Sequence, residues 1–211
     1  KPYPHLVLDN FLIDSFFKNL NLENYKLRQN NGRSFNTNLE KNKWTSKNEI
    51  LSKNLKLIID ELNKKEFLEN LYKLTGITDL FSTTEGNTSL ANYHEMYESG
   101  FLGTHVDHSS EPSTGLPHVL NIILYLSKDW QSSWGGSTIL ADKNGRKIEK
   151  LIDFVPNRAV IFLHTPFSFH GVTEIKKSPI KRSTIYVDYY SKNKDPYNHF
   201  NLVFKKVWFK H

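Results

Sequence analysis

Tyr97-Glu98-Ser99-Gly100-Phe101-Leu102-Gly103-Thr104-His105-Val106-Asp107 is the stretch on which the reading of this chain turns. In an extended strand, side chains two apart project to the same face. His105 and Asp107 therefore point together and offer one imidazole and one carboxylate to a common point. His170, in Phe167-Ser168-Phe169-His170-Gly171, is a third donor that a fold can bring beside them. Two histidines and one carboxylate hold one face of a metal ion and leave the opposite face open.

A His-x-Asp pair is common in a chain with nine histidines, so the rest of the sequence has to support it. Arg182 lies twelve residues after His170 and opens the apolar run Arg182-Ser183-Thr184-Ile185-Tyr186-Val187-Asp188-Tyr189-Tyr190. Arg182 and Thr184 share a strand face. A planar guanidinium grips a carboxylate bidentately, and a neighbouring hydroxyl adds a hydrogen bond. The residues read as a metal triad of the non-haem Fe(II) oxygenase type with an anion clamp nearby. That combination can hold 2-oxoglutarate, its keto acid on the iron and its far carboxylate on the arginine.

Further motifs follow in order. Pro2-Tyr3-Pro4-His5-Leu6-Val7-Leu8-Asp9-Asn10-Phe11-Leu12 reads as an opening strand and helix, and Asn121-Ile122-Ile123-Leu124-Tyr125-Leu126-Ser127-Lys128-Asp129-Trp130 as a central strand. Trp134-Gly135-Gly136 is a turn, and Asn157-Arg158-Ala159-Val160-Ile161-Phe162 precedes His170. Together they resemble the Fe(II)/2-oxoglutarate-dependent dioxygenases, in the branch similar to prolyl 4-hydroxylases. The resemblance covers most of the chain. Residues 97–107 match that branch's Tyr-x-x-Gly-x-Phe-x-x-His-x-Asp pattern, with Phe101 one place early.

The resemblance implies a double-stranded β-helix (jelly roll), mainly β with helices packed outside one sheet. It implies Fe(II) held by His105, Asp107 and His170, and 2-oxoglutarate bound by Arg182. Thr184 falls at the family's usual serine, Tyr125 at a tyrosine that bonds the far carboxylate, and Tyr97 at one lining the same pocket. Lys181 rivals Arg182, because some prolyl hydroxylases use lysine there. O2 is the oxidant and ascorbate an auxiliary reductant. The implied reaction is hydroxylation of an aliphatic C–H, with 2-oxoglutarate decarboxylated to succinate. The substrate is a prolyl or other residue in a peptide or protein, or a free amino acid or other small molecule. Two alternatives stand beside this. A nucleic-acid demethylase on the same fold fits the positive charge, but that branch carries a second arginine beyond the clamp, where this chain has Asp188 and tyrosines. A non-enzymatic jelly-roll binding module requires the triad to be accidental.

Composition sets the frame. A chain of 211 residues, 38% hydrophobic and 13% aromatic, suits one domain over 1–211. Residues 1–89 read as a mostly helical support and 90–211 as the β core. No apolar run approaches the ~20 residues that span a bilayer, and no leader is visible, although Lys1 need not be the natural start. The absence of cysteine excludes disulfides and thiolate metal sites and is compatible with a reducing cytoplasm, the location expected. The net charge of +6 comes from lysines scattered among asparagines, as on a solvated surface. Neither a membrane nor a nucleic acid is expected as a partner.

Asp9 or Asn10 is positioned to cap a helix carrying Phe11, Leu12, Phe16, Phe17 and Leu20. Ser46-x-x-Glu49 is a capping-box signal before Ile50, Leu51, Leu55, Ile58 and Leu62. Phe67, Leu68, Leu71 and Leu74 continue that spacing, and Gly76 suits a C-cap. Gln29 to Lys43 reads as a loop, with a short edge strand or a flap as alternatives. Short strands are expected at 90–97, 101–107, 118–126, 136–141, 147–155, 158–163, 168–173 and 181–190. Asn144-Gly145 suits a two-residue hairpin turn, and Ser109 to Gly115 a polar loop. The tail from His199 to His211 reads as a closing strand or a basic aromatic arm. His164 competes with His170 as the third ligand. His94, His108 and His118 read as polar strand or loop residues, with alternation turning His108 away from the metal. Trp130 and Trp134 read as closing the sheet end, and Asn121 and Thr138 are the available second-sphere groups.

Overall fold

Residues 118–125 are buried along their whole length. Their nearly unbroken apolar sequence follows, since a strand covered on both faces has no solvent side. The computed structural model that contains them describes residues 2–22, 32–82 and 92–193. In chain order the elements are β1 (His5–Leu8), α1 (Asp14–Lys18), β2 (Gly32–Phe35), β3 (Glu40–Ser46), α2 (Lys53–Asn63), α3 (Lys65–Thr75), β4 (Leu80–Phe81), β5 (Tyr93–His105) and β6 (His118–Tyr125). There follow β7 (Thr138–Ala141), β8 (Ile148–Ile152), β9 (Ala159–Leu163), β10 (His170–Val172) and β11 (Arg182–Ser191).

The strands form one continuous antiparallel sheet in the order β1-β9-β6-β11-β5-β10-β7-β8, with β3 also on β5, β2 on β3 and β4 on β11. It curls because β5 serves two halves. Its first part pairs with β11, Arg182 opposite Met96, and its last part pairs with β10, His170 opposite His105. Between them Ser99 takes φ 61°. A Cβ on Gly100 would meet the Tyr97 carbonyl at 2.6 Å, so the backbone closes on itself there and excludes a side chain. The mainly β jelly roll expected from the sequence is the fold observed.

Two cores result. Between the halves, Tyr125, Val160 and Phe162 pack with Leu140, Ile152, Phe154 and Val172. On the outer face of the larger half, Leu55, Ile58, Leu62 and Leu71 pack against Leu120, Ile122, Ile185, Val187 and Tyr189. Ile185, Val187 and Tyr189 are therefore the helix-facing side of β11, and Arg182, Thr184, Tyr186 and Asp188 its interior side. Among the described residues no helix is long and apolar enough to cross a membrane.

Local expectations fare unevenly. Asp9 does not cap a helix: it pairs with Arg158 at 2.5 Å, Asn10 takes φ 54°, and α1 starts at Asp14 without a side-chain cap. Ser46 ends β3 and bonds the Lys47 carbonyl, so the capping box does not form. Ser52 is the N-cap of α2 and accepts from the Leu55 amide. Gly76 caps α3 with φ 72° as expected, but a break at Lys64 separates α3 from α2 and leaves Leu74 exposed. Within Gln29–Lys43 the described residues form the β2–β3 hairpin, the edge-strand alternative, which pairs with β5. The turn from β7 to β8 spans more than two residues: Asp142 accepts from the Arg146 and Lys147 amides, and only Gly145 is left-handed. The segments 101–107 and 90–97 are one strand rather than two. Residues 29–31, 90–91 and the 199–211 tail lie outside the described residues.

Candidate metal centre and anion pocket

The end of β5 places His105, the turn after it places Asp107, and β10 places His170. One donor atom from each lies within 4.8 Å of the others. His105 Nε2 is 3.3 Å from Asp107 Oδ1, and His170 Nε2 is 3.2 Å from Oδ2. Each imidazole donates Nδ1–H to a backbone carbonyl, His105 to Gly103 at 2.9 Å and His170 to Ser168 at 3.1 Å. That fixes the tautomer and leaves both Nε2 lone pairs directed at the shared point. Burial opposes ionisation of Asp107, yet the adjacent His170 and His105 hold its carboxyl well below the usual range. Asn121 Nδ2 at 2.8 Å and the Tyr186 hydroxyl at 2.6 Å both donate to Oδ2, which restrains the carboxylate's rotation. The donor set therefore fits a divalent cation such as Fe(II).

His164 does not join this group. Its Nδ1 faces the His118 carbonyl at 3.1 Å and its Nε2 the Asp107 carbonyl at 3.2 Å. Its ring stacks on His118 with centroids 4.1 Å apart. Burial beside His118 depresses its pKa to about 4, so it stays neutral behind the triad.

The triad opens on a cavity of about 140 Å³ that Arg182, Thr184, Tyr186, Lys43, His94 and Met96 help to line. Arg182 is 4% exposed. Its Nε donates to the Gly136 carbonyl at 2.8 Å, and its guanidinium lies 5.4 Å from the Tyr125 ring and 5.1 Å from that of Phe154. Burial pulls it down to about 10, Tyr125 opposing. Its Nη2 is buried with no hydrogen-bond partner among the described residues. An orphan donor on a buried cation costs free energy unless an acceptor meets it, so the site is built for an anion, and the far carboxylate of 2-oxoglutarate fits it. Tyr125 is fully buried and its hydroxyl pairs with Thr138 at 2.5 Å. Lys181 points to the other face, where it pairs with the buried Glu95 and bonds the Leu22 carbonyl at 3.0 Å.

Tyr97 requires a correction. It lies on the Tyr93–Glu95 face of β5, its hydroxyl on Glu95, and it lines a separate surface cavity with Lys181 and Ser183. Met96, one residue earlier, lines the triad cavity instead. The change of parity falls between Leu102 and His105, which both line the cavity although three residues apart, where the β5–β10 register shifts. His108 also departs from expectation: it lines the cavity with Nε2 2.8 Å from the Tyr190 hydroxyl, because the chain leaves strand geometry after His105. Sequence reasoning sets Tyr186 on the pocket side with Arg182 and Thr184, where it is found, but does not foresee its bond to Asp107 Oδ2. It missed Lys43, which reaches the site from a hairpin distant in the chain.

Comparison with known proteins agrees with this geometry. Residues 89–189 match the family model described as the 2OG-Fe(II) oxygenase superfamily. That family uses Fe(II), 2-oxoglutarate and O2, and the His–Asp–His triad stands in the matched stretch. A prolyl-4-hydroxylase from Pseudomonas putida is 13% identical with a TM-score of 0.64, over 90% of this chain and 94% of that one. A prolyl hydroxylase from Trichoplax adhaerens, solved with a hypoxia inducible factor peptide fragment, is 15% identical with a TM-score of 0.59, over 89% and 84%. HygX from Streptomyces hygroscopicus, solved with nickel, 2-oxoglutarate and hygromycin B, is 11% identical with a TM-score of 0.56, over 90% and 84%. At these identities the likeness establishes the fold. No curated protein sequence matches the chain significantly.

Proposed function

We propose that this chain is an Fe(II)- and 2-oxoglutarate-dependent dioxygenase that hydroxylates an aliphatic C–H. The substrate is a prolyl or other residue in a peptide or protein, or a free amino acid. The observation that carries the reading is one cavity with two complementary ends, three metal donors within 4.8 Å at one and the orphan Arg182 donor at the other. His105, Asp107 and His170 would hold the metal, and Arg182, aided by Thr184 and with Tyr125 packed beneath the guanidinium, the far carboxylate. When bound, iron and the keto acid supply the oxidising chemistry. The protein's own tasks are orientation and the exclusion of water. Asn121 and Tyr186 restrain Asp107, the Nδ1–H donations fix both imidazoles, and the buried walls around Arg182 keep the anion end dry. Residues 1–211 act in this reading as one domain, in a reducing cytoplasm.

Anaerobic addition of Fe(II) and then 2-oxoglutarate should produce a weak visible charge-transfer band. A chain that binds iron and shows no such band on adding 2-oxoglutarate sinks the proposal. A screen of peptides and amino acids for stimulated succinate release then identifies the substrate.

A further inference from the structure

Four residues of β11 line the same cavity: Arg182, Thr184, Tyr186 and Asp188. They are two apart in sequence, so they stand in a row along the strand. Tyr186 marks the level of the metal, since its hydroxyl bonds Asp107 Oδ2. Arg182 lies four residues to one side, where the cosubstrate's carboxylate would sit. Asp188 lies two residues to the other side, roughly 7 Å along the strand. A second substrate has to approach the metal from that end, because 2-oxoglutarate fills the other.

Asp188 is 9% exposed and its Oδ1 has no hydrogen-bond partner among the described residues. Behind it stands His118, fully buried, with Nε2 3.3 Å from Oδ1 but out of hydrogen-bonding geometry. Burial opposes protonation of His118, yet the neighbouring Asp188 raises its pKa. Asp188 Oδ2 lies 3.7 Å from His108 Nε2, a nitrogen already engaged by Tyr190. Lys43, another cation on the cavity wall, is tied to Glu40 at 2.8 Å. With Fe(II) and 2-oxoglutarate in place, the metal and Arg182 match the carboxylates of Asp107 and the cosubstrate. Asp188 then has His118 and His108 as its nearest nitrogen neighbours, and its Oδ1 still lacks a hydrogen bond among the described residues. A carboxylate is acceptor-only, and a largely buried one is best satisfied by a cationic N–H donor.

We infer that Asp188 is the substrate anchor of this site and that it takes a protonated aliphatic nitrogen. The inference rests on the oxygenase reading and narrows it: the oxidised carbon and the charged nitrogen belong to one small molecule or one side chain, a few bonds apart. A peptidyl proline, which has no charged nitrogen, does not satisfy Asp188.

The probe is n-butylammonium, set against uncharged n-butanol of similar length, on protein loaded with Mn(II) and 2-oxoglutarate. Proton relaxation by Mn(II) reports both binding and closeness to the metal. Butylammonium should be relaxed at concentrations where butanol is not. Asp188→Asn should weaken its Kd by about 10- to 100-fold, the range for losing a charge-assisted hydrogen bond. Equal relaxation of the two probes, or none of butylammonium, overturns the inference without recourse to any variant. Free L-lysine and an end-blocked peptide with one internal lysine then separate the two sources of such a nitrogen. Tighter binding of that same peptide with its lysine acetylated than of either overturns the anchor role. Failure of the oxygenase reading looks different: Mn(II) stays free in solution by electron paramagnetic resonance, while butylammonium binding can still be read from line broadening on the metal-free chain.

Discussion

At the scale of single residues, Arg182 and Lys181 are adjacent cations with opposite fates. Arg182→Ala removes the anion partner, and breaking a buried charged pair costs about 3–5 kcal/mol. The KM for 2-oxoglutarate should rise at least ~100-fold, at about 1.4 kcal/mol per decade, with iron affinity little changed. Lys181→Ala should leave that KM alone and lower the melting temperature, because Glu95 stays buried without its ammonium. The reverse pattern in steady-state kinetics and calorimetry would put Lys181 in the pocket. Glu111 supplies a pH test. Its Oε2 accepts from the hydroxyls and amides of Ser113 and Thr114 at 2.6–3.0 Å, and the Ser113 hydroxyl, foremost, holds its pKa at about 2 against 4.5. A folded pKa below the unfolded one stabilises above the unfolded value and is lost as pH falls through the folded value. Protection of the 113 and 114 amides from hydrogen exchange should therefore be complete above about pH 4.5 and vanish toward pH 2. Flat protection across that window would remove Glu111 from the loop's support. Alternation holds along β11 and made the Arg182–Thr184 face legible, whereas His170 over His164 and Arg182 over Lys181 followed from the family resemblance, and Asp107 meets His105 from beyond the strand's end. Tyr97 was misread because alternation carried back from His105 breaks at the register shift between Leu102 and His105.

At the scale of elements, the apolar stripes of α2 and α3 were legible at 3.6-residue spacing, and both helices do pack on the larger half-sheet. Leu55→Asp and Leu71→Asp should each cost several kcal/mol, since each would bury an unpaired charge. An unchanged chemical-denaturation midpoint in both would mean that the helices are not part of the folded core. Helix starts were less legible. Ser46 and Asp9 carry capping side chains but spend them on a strand end and on Arg158, tertiary choices that local sequence does not encode. The β2–β3 hairpin was legible only as an alternative to a loop, for a related reason. Its polar residues are those of an edge, and only pairing with β5 makes it a strand. Register matters most in β11. A slip by one residue would carry Arg182 toward Glu95 and Lys181 into the cavity.

At the scale of the whole molecule, ligand binding and folding should be linked. Mn(II) with 2-oxoglutarate at 100 times the Kd should add about 2.7 kcal/mol, or roughly 5–10 °C in melting temperature for a chain this size. His170→Ala should lose most of that gain while remaining folded; an equal gain would remove His170 from the site. The curled sheet also has a mechanical consequence. The triad lies where β5 meets the smaller half and Arg182 stands on the larger, and β5 pairs with both, with β11 along its first part and β10 along its last. A dicarboxylate gripped at its two ends would act as a removable crossbeam between the two walls. Emptying the site each turnover would slacken the frame, and refilling it would draw the walls together, so the chain's resistance to breathing should rise and fall with its catalytic cycle.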